Sequence, residues 1–263
     1  MIRATLFIRP IILASLASVL LTSGCDNSQN TELENTKPAA VISVSEKKAN
    51  FFAYLQPMIE QANNEVLAQR EILLSIQADL PQLSTAQTES LVELTHTYRV
   101  DNNLAPKQQV LSLSTKINTI PAALILAQAA NESAWGTSRF AREGNNFFGQ
   151  WCFSKGCGIV PNSRNEGADH EVASFDSPLG SVRSYIRNLN SHPTYQGLRD
   201  LRDLALAQGN TPSGETLAQG LIGYSERGEE YVKEIQSMIR YNKLSRFDTG
   251  SIDKTAPSTS GEG

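Results

Sequence analysis

The sequence is short of the side chains on which most metal and nucleophile chemistries rest. It holds three histidines and three cysteines in 263 residues. His96, His170 and His192 stand far apart, without the spacing of zinc ligands, which argues against a zinc amidase. No Gly-x-Ser-x-Gly elbow and no phosphate-binding glycine loop is present, so serine-hydrolase and nucleotide chemistries lose their sequence support. A basic excess is missing too. The formal net charge is −4, and about −6 without Arg3 and Arg9, which argues against nucleic acid and against an electrostatic grip on anionic lipid. The apolar run from Ile11 to Leu21 is too short to span a bilayer comfortably. Internal repeats are lacking, and no cofactor or metal is expected.

That short run instead reads as an export signal over residues 1–24, with Arg3 and Arg9 as its positive start. It ends in Leu21-Thr22-Ser23-Gly24-Cys25, which resembles a bacterial lipoprotein cleavage site with Cys25 as the lipidated residue. The alternative is an ordinary signal peptide cut nearby. Lipid on Cys25 would leave an even pair, Cys152 and Cys157, with four residues between them. In an oxidising compartment such a pair closes a small disulfide loop, metal binding being the rival. Asp26 resembles the retention signal of enterobacterial lipoproteins, and places the expected location on the periplasmic side of the cell envelope, at the inner membrane. Residues 25–48 are polar and aperiodic, and read as a flexible tether.

Residues 49–117 read as a helical N-terminal region. Phe52, Leu55 and Ile59 recur at helix spacing, and the stripe continues through Val66, Leu67, Ile72, Leu73, Leu74 and Ile76 until Pro81 interrupts it. Ser84 with Gln87 predicts a capping box, and Pro106 opens a further helix. This region carries no catalytic constellation, and is expected to be a helical platform or a wall-positioning element.

The stretch around which the chain is organised is Thr119 to Gly136. Ile120 and Pro121 can open a helix, and Ala122 to Ala130 is apolar throughout except for Gln128. A helix apolar on nearly every side is a buried one. Glu132 stands at its C-terminal end, with a stop expected at Gly136. There the helix dipole and the apolar surroundings both disfavour the ionised form, so the pKa of Glu132 should be raised. A glutamic acid that stays protonated is what general-acid cleavage of a glycosidic bond requires. The alternative is a helix-end carboxylate paired with Arg139 or Arg142.

The nonapeptide Gln128-Ala129-Ala130-Asn131-Glu132-Ser133-Ala134-Trp135-Gly136 resembles the catalytic helix of the bacterial endo-β-N-acetylglucosaminidases with a lysozyme-like fold. These form glycoside hydrolase family 73, which includes flagellar peptidoglycan hydrolases and autolysins. Asn145-Asn146-Phe147-Phe148-Gly149 is similar to the family's Asn-Leu-Phe-Gly turn, and Tyr224-Ser225 to its Tyr-Ser/Ala-Thr-Asp segment. Gln150-Trp151-Cys152 and Tyr224 to Gly228 are closest to the Bax-type branch. The resemblance spans roughly residues 118 to 242. It implies a mainly α, lysozyme-like α+β domain over residues 118–247 with a small β-hairpin lobe; residues 248–263, rich in Ser, Thr, Gly and Pro, are expected to be a disordered tail.

The same resemblance implies hydrolysis of the β-1,4 bond after N-acetylglucosamine in peptidoglycan, with glycan strands and, through the lipid, a membrane as partners. Glu132 is the implied acid. The second carboxylate comes from the hairpin, where Glu166 at the turn is preferred to Glu171 on the strand; each is otherwise a solvated hairpin residue. A 2-acetamido sugar can also supply its own nucleophile, with Tyr224 orienting the acetamido group; otherwise Tyr224 is a core tyrosine with a satisfied hydroxyl. Trp135, Phe148 and Trp151 offer flat faces for sugar rings, although isolated aromatics are more often core and Trp135 is expected behind Glu132. Asn146 and Gln150 are candidate glycan hydrogen-bonders. Two rivals stay open: a lytic transglycosylase on a similar fold, and a non-catalytic glycan-binding scaffold lipoprotein.

Overall fold

A helix that is apolar on every side can only exist inside a shell of other elements, and the architecture is that shell. The computed structural model describes residues 42–162, 164 and 167–250. The export signal, Cys25, Asp26, Glu166 and residues 251–263 lie outside the described residues.

The first helix, α1, runs from Val44 to Ala78, with Ser43 as N-cap accepting the Glu46 amide. Residues 43–48, expected in the tether, are therefore part of this helix and its cap. Lys48 already belongs to the fold: its Nζ donates to Asn242 Oδ1 at 3.0 Å and lies 4.7 Å from the Trp135 ring centroid. Phe52, Leu55, Ile59, Ala62, Val66, Leu73 and Ile76 form the buried seam of α1, while Ile72 and Leu74 face water. The stripe is thus narrower than the sequence pattern indicated, and Pro57 sits within the helix. Helix α2, Thr85–Thr97, opens with the Ser84–Gln87 capping box, and α3, Pro106–Lys116, carries its proline in the first turn.

The central helix α4 spans Ala122–Glu132, and every residue from Ala123 to Ala130 is buried. It packs against α1, and against α8 (Gly214–Leu217), α9 (Glu229–Tyr241) and a closing 3₁₀ turn, Leu244–Gly250. Pro121 provides no side-chain cap for α4. Asp248 does so from far along the chain, its Oδ1 accepting the Ala123 amide at 2.8 Å. Asp248, expected in the tail, therefore belongs to the fold, because an orphan amide at a buried helix N-terminus needs an acceptor. Among the described residues no helix is long and apolar enough to cross a membrane.

After the short helix α5, Arg139–Gly144, Asn145 takes the left-handed cap at φ 51°. The expected hairpin is a three-stranded antiparallel sheet in the order β1 (Trp151–Cys152), β3 (Glu171–Ala173), β2 (Gly158–Ile159). Trp151 pairs with Val172 on one edge, and Gly158 with Ala173 on the other. Gly158 is required by close approach, since a β-carbon there would lie 2.0 Å from the Val172 carbonyl oxygen. Helices α6 (Pro178–Ser191) and α7 (Gln196–Ala207) complete the shell. Arg199 and Arg202 of α7 are 1% exposed and donate to the Leu189 and Thr115 carbonyls at the C-terminal ends of α6 and α3, where cations are favoured. The result is mainly α with one small β lobe.

Asn63 ties α1 to the start of α4. Its Nδ2 donates to the Ile120 carbonyl at 2.9 Å, its Oδ1 accepts the Ile120 amide at 3.1 Å, and it is 5% exposed. Asn63→Ala should leave both groups of Ile120 buried without a partner and lower the stability by about 2–4 kcal/mol. Denaturant unfolding measures this, and a loss below about 0.5 kcal/mol would mean that α1 is not integral to the core.

Candidate active site

Glu132 ends α4, and the backbone then turns sharply. Ala134, Trp135 and Gly136 have φ values of 49°, 60° and 76°, a left-handed sequence that is costly for the first two. It is held by Ser133, whose hydroxyl donates to the Ala129 carbonyl at 2.6 Å and accepts the Gly136 amide at 2.7 Å, and by the Trp135 amide donating to the Ala130 carbonyl. The helix stops at Ser133, three residues before the expected Gly136.

This turn sends Trp135 toward α1. Its ring meets Phe51 and Phe52 edge-on, at centroid distances of 5.7 and 5.5 Å. Trp135 is therefore a packing residue and does not line the cleft in which Glu132 sits.

That cleft has a volume of about 490 Å³, and Glu132 is the only carboxylate among the described residues lining it. Glu132 Oε1 accepts from the Tyr231 hydroxyl at 2.7 Å. The Tyr231 oxygen accepts from Gln128 Nε2 at 2.9 Å, and Gln128 Oε1 accepts from the Tyr185 hydroxyl. Because the amide nitrogen can only donate, each proton in this chain is directed toward Glu132. The carbonyl-type oxygen of a carboxylic acid is the better acceptor, so this bond favours Oε2 as the seat of an acid proton on Glu132. That oxygen faces Gly149, whose φ of 62° and missing side chain keep the space open: a β-carbon there would lie 3.7 Å from Oε2.

Burial raises the pKa of Glu132, and hydrogen bonds from Tyr231 and Asn131 pull it part of the way back. The pairing with Arg139 considered above does not form, since Arg139 Nη2 donates to the Val160 carbonyl. Tyr231 is pushed upward by burial and by Glu132, which keeps it a donor.

Of the other residues proposed from sequence, Tyr224, Gln150 and Trp151 line the cleft with Glu132. The Tyr224 hydroxyl donates to the Phe148 carbonyl at 2.8 Å, and its ring stacks on Tyr231 at 5.4 Å. Trp151 is 59% exposed and stacks on His170 at 4.1 Å. Gln150 Nε2 is held by the Ser181 carbonyl.

Two expectations need correction. Phe148 reaches the cleft wall but is 1% exposed with its ring stacked on Tyr185 at 4.0 Å, so it offers no free face to a sugar. Asn146 is also buried: its Nδ2 donates to the Gln150 and Ala173 carbonyls, and its Oδ1 accepts the Phe148 and Gln150 amides. It organises the turn and has nothing left for a glycan.

Glu171 is no solvated hairpin residue either. It is 6% exposed and accepts the Gly156 and Gly158 amides at 3.0 and 2.8 Å, which hold its carboxyl below the usual range. It braces the loop closed by the Cys152–Cys157 disulfide, whose Cα atoms are 6.2 Å apart. Tyr231 carries no motif in the sequence, and Gln128 stands there only as the exception in an apolar helix. A lone amide in a helix enclosed on all sides must find partners, and that was the available signal for this network.

A family model described as mannosyl-glycoprotein endo-beta-N-acetylglucosaminidase matches residues 108–244. The chain is 30% identical over 198 residues to Protein bax of Escherichia coli (strain K12), covering 75% of this chain and 70% of that protein. Among solved structures it is similar to the catalytic domain of the autolysin Auto from Listeria monocytogenes, with a TM-score of 0.44 at 14% identity, covering 80% of this chain and 92% of that one. The chain belongs to the mannosyl-glycoprotein endo-β-N-acetylglucosaminidase family, and its cleft is that of a glycoside hydrolase domain.

A carboxyl whose pKa is raised by folding destabilises the fold wherever it is ionised. Stability is therefore highest below the unfolded pKa and declines as pH rises toward the folded one. Glu132→Gln keeps an oxygen for Tyr231 and removes the buried charge. It should raise Tm near neutral pH, and the difference should vanish below about pH 4. Thermal unfolding across pH checks this; an equal or lower Tm near neutrality would contradict it.

Proposed function

We propose that the chain is an endo-β-N-acetylglucosaminidase that cuts the β-1,4 bond after N-acetylglucosamine in peptidoglycan. The observation that carries this reading is the single cleft carboxyl of Glu132, one oxygen fixed by Tyr231 and the other beside Gly149. In the reaction, the proton on Oε2 passes to the glycosidic oxygen as the C1–O bond breaks, which requires a carboxyl protonated near neutral pH. The raised pKa of Glu132 supports that role.

Positive charge then develops at C1. With no second carboxylate among the described residues lining the cleft, the oxygen of the substrate's own 2-acetamido group is the nucleophile that closes on C1. Tyr224 supports this step. Its proton is committed to the Phe148 carbonyl, so toward substrate its oxygen can only accept, and the acetamido N–H is the donor it would meet. The Glu132 carboxylate next takes a proton from the water that opens the ring intermediate. The hairpin carboxylate Glu166 is the competing source of negative charge, and the same single-acid cleft also suits a lytic transglycosylase, which closes the cut muramic residue on itself.

Mass spectrometry of fragments released from sacculi separates these readings. Reducing-end N-acetylglucosamine is expected from the parent and from Glu166→Gln, and a loss of about a hundredfold or more in Glu132→Gln. Loss of activity in Glu166→Gln as well would replace the acetamido group by that carboxylate. Anhydro-muramic ends would make the protein a transglycosylase. A well-folded parent that releases nothing would contradict the enzymatic reading and leave a glycan-binding scaffold.

A further inference from the structure

The cleft contains charge for which bond cleavage has no use. Thr97 at the end of α2 and Arg99 in the turn after it line it together with Arg187, Asn188 and Ser191 of α6. Thr97 and Arg99 precede the span matched by the family model. They come from the N-terminal region that showed no catalytic constellation in sequence.

This part of the wall is built rather than incidental. Arg99 is held at φ 55°, a conformation unusual for a residue other than glycine. Lys116 Nζ clamps it, donating to the Tyr98, Arg99 and Ser191 carbonyls at 2.8, 3.1 and 3.4 Å, and so joins this turn to the end of α6. Tyr98 is 2% exposed, and its hydroxyl donates to Gln69 Oε1 of α1. Arg187 and Ser191 are one helical turn apart, and therefore neighbours on one face of α6.

Arg99 and Arg187 are exposed, and among the described residues neither forms an ion pair. Ser191 is 1% exposed, and its hydroxyl has no hydrogen-bond partner. The local potential is positive enough that Arg99 and Arg199 add to burial in lowering the pKa of His192. Two guanidinium groups without an ion pair, lining the same cleft as a buried, unsatisfied hydroxyl, call for an anionic acceptor with more than one oxygen.

We propose that Arg99, Arg187 and Ser191 form a subsite for a carboxylate of the stem peptide carried by the muramic residue, so that peptide-bearing strands are selected over bare glycan. This deepens the peptidoglycan reading above and rests on it. The N-terminal helices then have a recognition role: they complete the cleft with the one arginine that the catalytic span does not itself encode.

The test is binding of the full chain carrying Glu132→Gln to soluble glycan chains of one length, with their peptides and after amidase removal of them. Peptide-bearing chains should bind about tenfold more tightly, with a preference that weakens as salt rises. Adding Arg99→Gln or Arg187→Gln should abolish the preference, at an unchanged Tm. Equal affinity for the two chain types, no binding of either, or a preference that survives both arginine variants would overturn the subsite. Hydrolysis by the parent is scored separately. A parent that binds peptide-bearing chains through these arginines but cuts nothing would refute the enzymatic reading and keep this one.

Discussion

An apolar helix that cannot face water dictates the position of whatever surrounds it. From Ala123 to Ala130, α4 has no exposed side, and α1, α8, α9 and the closing turn at Leu244–Gly250 are the walls that it requires. Enclosure also creates a polar demand within the helix itself. Gln128 is 0% exposed, and its amide must be satisfied inside the protein. Tyr185 and Tyr231 meet that demand, and Tyr231 has a proton left over, which it gives to Glu132. The hydrogen bond that positions the acid is thus a consequence of burying the helix that carries it.

The same enclosure is unfavourable for the carboxylate. It stands at the C-terminal end of a helix, where the dipole opposes negative charge, in surroundings that withhold water. Two non-glycine residues in left-handed conformations, Ala134 and Trp135, follow it after Ser133. Strain and an unfavourable charge next to a cleft are the pattern expected where function is retained against stability. By contrast, the carboxylate of Glu171 is fully served by backbone amides and held ionised. Two glutamates of one chain are driven in opposite directions by their surroundings alone, and only the raised one lies in the cleft.

Much of this was legible in the chain. The closed apolar run with a single carboxylate at its end located α4 and Glu132, because burial on all sides has a plain composition signature. The capping box at Ser84 and the proline at Pro106 marked helix starts through local chemistry. What was not legible depends on contacts between distant segments. Asp248 caps α4 across more than a hundred residues, and nothing in the sequence around Ala122 indicates it. Asn146 and Phe148 looked available to a glycan because sequence cannot show that a turn consumes its own amide, or that Tyr185 covers the ring. Trp135 was drawn away from the cleft by a backbone turn that no residue type in Ser133 to Gly136 requires. Arg99 carries no signal in the sequence because it lies in a helical region without motifs, and the Lys116 clamp joins that turn to the end of α6 at the cleft.

Enclosure of α4 raises the pKa of Glu132, and the Tyr231 hydroxyl holds its carboxyl. The most direct measurement is a titration of the Glu132 side-chain carboxyl by carbon-detected NMR, in the parent and in Tyr231→Phe. The parent should show a pKa above the usual carboxylate range. A further rise is expected in Tyr231→Phe, because the lost hydrogen bond favours the ionised form. An ordinary carboxylate pKa in the parent, or no change on losing the tyrosine hydroxyl, would contradict this reading of Glu132.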